Sequence, residues 1–167
     1  MMDTPARKAA YCGMLIALAM IFSYVESLIP LNFGVPGIKL GLANLVVLTG
    51  LYYLRPGEVF AVSICRILLS GFLFGSGMSI IYSLAGGILS FFVMLFLVKT
   101  ERFSPIGVSA CGGVTHNVGQ LLVAAAVLES PAVFYYLPAL MVSGVVTGVL
   151  MGILAKHVMF IFHRKID

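Results

Sequence analysis

The sequence predicts an all-α integral membrane protein, one domain over residues 1–167, with six transmembrane helices and both termini in the cytoplasm. Three observations carry this reading. Hydrophobic residues make up 61% of the chain and charged residues only 10%, whereas an ordinary soluble domain is roughly 45–50% apolar and about a quarter charged. Long apolar runs recur with short polar breaks between them. The cations fall at alternate breaks. A chain this short has a large surface for its volume, and so little charge could not cover it in water. The same composition excludes a disordered chain. A net charge of +4 is no nucleic-acid signal, because the ten cations form no patch.

A spanning helix needs about 20 mostly apolar residues. Six segments qualify: 9–30, 39–54, 57–74, 80–98, 106–128 and 132–162. The second is short, and either tilts little or is partly re-entrant. The last is long, and its end is expected to run along the inner surface. Runs such as FFVMLFLV do not alternate, which rules out the polar-in, apolar-out pattern of a barrel. The first span is too long for a signal peptide, has no small-residue cleavage site and ends on Glu26. Arg7 and Lys8 precede it, Arg55 follows the second span, Lys99 and Arg102 follow the fourth, and Lys156, Arg164 and Lys165 close the chain. All eight fall on one side if six spans alternate, against Lys39 alone on the other, and the cation-rich side is cytoplasmic.

Small residues recur every fourth position in two spans, as Ala9, Gly13 and Ala17 and as Gly144, Gly148 and Gly152. In lipid such stripes allow helices to approach closely. Each serves either internal packing or docking of another membrane protein. The first lies in the cytoplasmic half, where a partner can reach it. Gly86-Gly87 and Gly112-Gly113 mark close helix contacts or local loosening. The three cysteines, Cys12, Cys65 and Cys111, sit in different spans with no C-x-x-C, so neither a disulfide nor a metal framework is implied.

Polar groups inside a membrane are costly and are functional candidates by default. Glu26 lies near the outer end of the first span, Lys39 and Asn44 begin the second, and Arg66 is in the third. His116, Asn117 and Gln120 share the fifth, in THNVGQ. At 1.5 Å per residue, Arg66 and His116 sit roughly 14–15 Å above the cytoplasmic end and Gln120 about one turn higher. They form either a structural network or the wall of an outward-facing cavity that binds a small anionic or amide-bearing molecule. Tyr82, Tyr135 and Tyr136 either stack on such a ligand or belong to the interfacial aromatic belt. The first outer loop, LNFGVPGI at 31–38, contains Gly34, Pro36 and Gly37, as a hinge, a lid or a plain connector would.

Several chemistries lack their residues. Mg²⁺-diphosphate chemistry needs clustered carboxylates, and no two of the six carboxylates are adjacent or three to four apart. No Walker loop occurs. His116 has no second ligand at metal-binding spacing, and His157 and His163 lie toward the inner end. The expectation is a protein without enzymatic activity, metal or cofactor of its own.

VPGIKLGLANLVVL (35–48), RILLSG (66–71), SLAGGILSFFVM (83–94) and above all FSPIGVSACGGVTHNVGQL (103–121) resemble the Gx transporter family, also labelled heptaprenyl diphosphate synthase component I. The resemblance runs from about residue 9 to about residue 155. It groups the chain with the S components of energy-coupling-factor transporters, multi-pass proteins of the bacterial cell membrane. It implies an S-component-like bundle that captures a vitamin-like or quinone/isoprenoid-related small molecule from outside, beside a membrane coupling subunit with ATPases. By the same resemblance Ala9, Gly13 and Ala17 would dock that subunit, and substrate would bind in the outer half, where Glu26, Lys39, Asn44, Arg66, His116, Asn117 and Gln120 lie. Two other roles stay open. One is a membrane subunit of a flavin- or quinone-linked electron-transfer system with redox membrane partners. The other is a non-catalytic partner of a prenyl diphosphate synthase.

Overall fold

A computed structural model describes residues 5–28 and 41–163. These form six α-helices: α1 (Pro5–Leu28), α2 (Leu42–Tyr53), α3 (Pro56–Phe74), α4 (Gly77–Lys99), α5 (Pro105–Leu128) and α6 (Leu137–His163). No strand occurs among the described residues. A 3₁₀ segment, Pro131–Tyr136, leads into α6, so the long last apolar segment divides in two. Lys39 and the loop at 31–38 lie outside the described residues.

Local chemistry sets the helix ends. Pro56 and Pro105 open α3 and α5, where a missing N–H costs nothing. The Ser104 hydroxyl accepts from the Gly107 N–H at 3.2 Å, and Ser76 and Ser79 bond reciprocally at the start of α4, satisfying donors that a helix start leaves over.

Five helices are long and apolar enough to cross a membrane. The chain has the build of a multi-pass membrane protein, with Phe72, Phe96, Val142 and Phe160 each more than 60% exposed on its outer surface. The sixth expected span is different. The α2 helix has 12 residues, about 18 Å of rise against a hydrocarbon core of about 30 Å. Yet half of α2 is buried: Ala43, Val46, Val47, Leu48, Gly50 and Leu51. Its lower part meets Val59 of α3, Phe91 and Met94 of α4, Val108 of α5 and Ala155 of α6 in the main apolar cluster. The Tyr53 hydroxyl donates to the Met159 carbonyl at 3.3 Å, joining the ends of α2 and α6 near Lys156.

Glycines set the spacing of α4, α5 and α6. A Cβ at Gly148 would lie 2.6 Å from Ala110 Cα, and one at Gly152 would lie 2.6 Å from Ile106 Cα. Gly113 and Gly144 face each other backbone to backbone, and Gly119 meets Ala85 and Gly86 of α4. The 144–148–152 stripe is therefore consumed by internal packing, and the paired glycines mark close contacts. By contrast, α1 sits at the edge of the bundle. It buries Ala19 against Val46 and Val62, while Ala9, Gly13 and Ala17 are exposed.

Candidate functional site

The neighbouring helices run antiparallel, as the pairs Gly50–Val59, Gly71–Ile80, Gly86–His116 and Gly148–Ala110 require. The C-terminal parts of α1 and α3 and the N-terminal part of α4 therefore share one end of the bundle. Tyr24 and Phe74 confirm this, with ring centroids 5.2 Å apart. Lys99, Arg102 and Arg55 lie at the opposite end. Between the first three elements, and floored by α2, α5 and α6, is a cavity of about 280 Å³. That is near the lower bound of ligand pockets, which run from about 300 to 1,000 Å³.

Helical periodicity assembles the lining. From α1 come Ser23, Glu26 and Ser27, three and four residues apart on one face. From α3 come Arg66, Ile67, Ser70, Gly71 and Phe74, with Gly75 just beyond it. Ser79 and Ser83 of α4 continue the wall. Gly41 and Asn44 at the start of α2, Gly113, His116 and Asn117 of α5, and Thr147 of α6 complete it. Small residues let the surrounding helices close on one another. A Cβ on Gly71 would collide with Ile80, and one on Gly86 would fall 2.6 Å from the His116 carbonyl.

Arg66 is the deepest charge, roughly 15 Å along α3 from its first residue at 1.5 Å per residue, and only 9% exposed. Its Nη2 donates to Asn44 Oδ1 at 3.0 Å. Its Nε–H is buried with no acceptor among the described residues. Such an orphan is costly, because buried donors are almost always satisfied. Glu26 is the one carboxylate among the described lining residues, and its charge acts on the guanidinium across the cavity. Its Oε1 accepts the Gly41 N–H at 2.6 Å. Gly41 has φ 72°, a left-handed conformation suited to glycine, and it starts α2. Glu26 thus provides the negative group that a helix start favours and ties α1 to α2.

Five of the seven predicted site residues, Glu26, Asn44, Arg66, His116 and Asn117, come together in this lining. Lys39 lies outside the described residues. Gln120 is displaced from the cavity: its Cγ packs against Gly86 of α4. Asn117 has a second allegiance, since its Nδ2 donates to the Leu140 carbonyl at 2.8 Å and to the Ser143 hydroxyl at 3.4 Å. Tyr82, Tyr135 and Tyr136 contribute nothing to the lining. Tyr135 is 88% exposed, as an interfacial aromatic would be. The sequence reading missed the serines. Ser23 and Ser27, Ser79 and Ser83 recur at four-residue spacing, a detectable pattern hidden by the frequency of serine in membrane helices.

Among the described residues no group of three or more His, Cys, Asp or Glu comes together as a metal site. A lone Glu26 does not fit the carboxylate clusters that hold Mg²⁺ on a diphosphate. No curated protein and no solved structure gives a significant match. The family model for heptaprenyl diphosphate synthase component I matches residues 15–158, which takes in α2 to α5 whole, the C-terminal half of α1 and most of α6. The chain therefore belongs to the heptaprenyl diphosphate synthase component I family.

Proposed function

We propose that the chain is a substrate-binding membrane subunit of an energy-coupling-factor-type transporter, taking up a small vitamin-like or quinone/isoprenoid-related molecule across a bacterial cell membrane. The observation that supports it best is the polar cavity with the buried Arg66 at its floor. An intramembrane charge that lines a cavity and leaves a donor unsatisfied is expensive unless a ligand uses it. In this reading all six helices lie in the bilayer, both termini are cytoplasmic, and the cavity opens outward. The binding residues are Glu26, Asn44, Arg66, His116 and Asn117. The chain itself catalyses nothing.

The energising partner docks on Ala9, Gly13 and Ala17. All three are exposed, and a Cβ built on Gly13 meets nothing within 4 Å. The matching stripe on α6 is already covered by α5, which leaves α1 as the small-residue face open to another membrane helix. Purified protein should bind a solute without ATP. Mass spectrometry of the small molecules and proteins retained through gentle purification tests this, and a preparation that carries neither solute nor membrane partner would count against it.

The family name supports a second reading, a non-catalytic partner of a prenyl diphosphate synthase. Co-purification of a soluble synthase, with its activity dependent on this chain, would favour that reading over uptake.

A further inference from the structure

The cavity has a chemical polarity of its own. At its floor stands a donor: Arg66, more than nine-tenths buried, with its Nε–H unsatisfied among the described residues. A guanidinium offers five N–H donors and accepts nothing, so the floor calls for an acceptor that α2, with one bond from Asn44 Oδ1, does not fully supply. The wall toward the cavity mouth is the reverse. The Ser27 hydroxyl donates to the Tyr24 carbonyl at 2.7 Å, and the Ser70 hydroxyl donates to the Ile67 carbonyl at 3.3 Å. Ser79 donates to the Ser76 carbonyl at 2.7 Å. With their protons committed to their own helices, Ser27 and Ser70 present oxygen lone pairs to the cavity. The Glu26 carboxylate beside them accepts and never donates while ionised.

Among the described residues, polar side chains outnumber apolar ones along the wall, the apolar ones being Ile67 and Phe74. An isoprenoid tail placed here would strip water from the serines, Asn44, Asn117 and Arg66 without replacing a single hydrogen bond, which is unfavourable for each.

We propose, building on the uptake reading, that the ligand is a small hydrophilic carboxylic acid. Its carboxylate sits on Arg66, and its body carries N–H or O–H donors that bond the serine oxygens and Glu26. Two sources share this chemistry, an amino acid and a polyhydroxy acid. The cavity volume of about 280 Å³ favours a compact molecule over a prenyl chain or a fused aromatic ring system, and among the described residues no tyrosine lines it to stack on one.

The test uses purified full-length protein in lipid nanodiscs, with binding followed by saturation-transfer NMR and titration calorimetry. Gluconate and glutamine represent the two sources. Sorbitol has the donors without the acid, hexanoate has the acid without the donors, and geranyl diphosphate represents the prenyl alternative. Gluconate or glutamine should bind at least about tenfold more tightly than sorbitol and hexanoate, the ratio expected when a charge-assisted bond or a set of neutral bonds is lost. Which of the two binds identifies the source. Arg66→Met should erase the advantage over sorbitol. The pair Ser27→Ala and Ser70→Ala, which leaves both helices intact, should erase the advantage over hexanoate. Hexanoate binding as tightly as gluconate and glutamine would overturn the proposal and leave a general anion site, with the uptake reading standing. Geranyl diphosphate displacing the acids, or binding alone, would overturn the hydrophilic assignment and favour the synthase partner. No binding by any of the five would overturn this proposal, and the uptake reading would then stand or fall on the solute retained through gentle purification.

Discussion

Two glycines on two helices, Gly148 and Gly13, should respond in opposite ways to the same added methyl group. At Gly148 of α6 the new Cβ would sit 2.6 Å from both Ala110 Cα and the Ser109 carbonyl oxygen of α5. Those are backbone atoms of a packed helix and cannot rotate aside. Restoring ordinary contact means opening the gap to at least 3.4 Å, which shifts α6 along the whole face shared with Gly113, Gly144 and Gly152. Overpacking of this kind costs about 1–3 kcal/mol. At Gly13 of α1 the new Cβ meets nothing within 4 Å, and replacing glycine by alanine inside a helix gains about 0.8–1.0 kcal/mol in propensity. Gly148→Ala should therefore lower the midpoint of thermal unfolding in detergent, by about 2–4 °C per kcal/mol for chains of 150–250 residues. Gly13→Ala should leave the midpoint unchanged or raise it. Tryptophan is absent from the sequence and none of the three cysteines is buried, so the transition is best followed by circular dichroism. Equal losses from both variants would refute the argument, because they would mean that α1 is packed as tightly as α6.

The remaining predictions concern docking and the cavity. Gly13→Leu and Ala17→Leu should leave folding and solute binding intact but block assembly with the energising partner, because the helices can no longer approach closely; unchanged assembly in a pull-down with the partner would remove α1 as the docking face. Arg66→Met should weaken binding of the acids at least about tenfold while leaving the bundle at least as stable, since it removes a buried cation with one hydrogen bond and an orphaned donor; a loss of about 3–5 kcal/mol of stability, the usual cost of breaking a buried ion pair, would make Arg66 a structural residue instead. Arg66→Lys should not restore full affinity in calorimetry, because the planar fork is lost. Asn117→Ala should cost about 0.6 kcal/mol of stability, the average for interhelical bonds in a membrane, and no more than about 1.7, through its bond to the Leu140 carbonyl, whereas His116→Ala should lower solute affinity more than it lowers the unfolding midpoint.

Much of this architecture is legible in the sequence, and the exceptions have physical causes. Apolar runs of sufficient length locate α1, α3, α4 and α5 to within a few residues, because hydropathy and proline or serine caps coincide there. The helix α2 defeats the length rule. It is apolar because protein surrounds it, and a buried short helix has the same composition as a spanning one. Pro131 and Pro138 bracket the 3₁₀ segment that a continuous apolar reading of the sixth span passes over. In the site, the charges and amides were found because they violate the lipid environment. The serines were missed because a hydroxyl bonded to its own helix carbonyl is cheap to bury and gives no such signal. Gln120 shares the His116 side of α5, since both reach Gly86 of α4, but it stands one turn further along, and spacing alone does not show that the described lining stops at Asn117.

The short helix and the cavity are consequences of one another. Non-helical backbone at membrane depth is tolerated only where protein buries it or a cavity is lined by it. Gly41 and Asn44 open α2 beside Gly113 of α5 and Thr147 of α6, residues well inside those helices rather than at their ends. Here the chain starts α2 with a left-handed glycine, caps it with Glu26 from α1, and uses Asn44, one turn in, to hold Nη2 of Arg66. The helix start therefore positions both charges of the cavity. Gly41→Ala tests this coupling: a left-handed backbone penalises a Cβ by roughly 1–2 kcal/mol, and its nearest neighbour is the Asn44 amide nitrogen at 3.6 Å. The substitution should weaken solute binding by more than its cost in stability predicts, because it displaces Glu26 and Asn44 together. A loss of affinity no greater than that of an equally destabilised variant remote from the cavity, such as Gly152→Ala, would separate the helix start from the site.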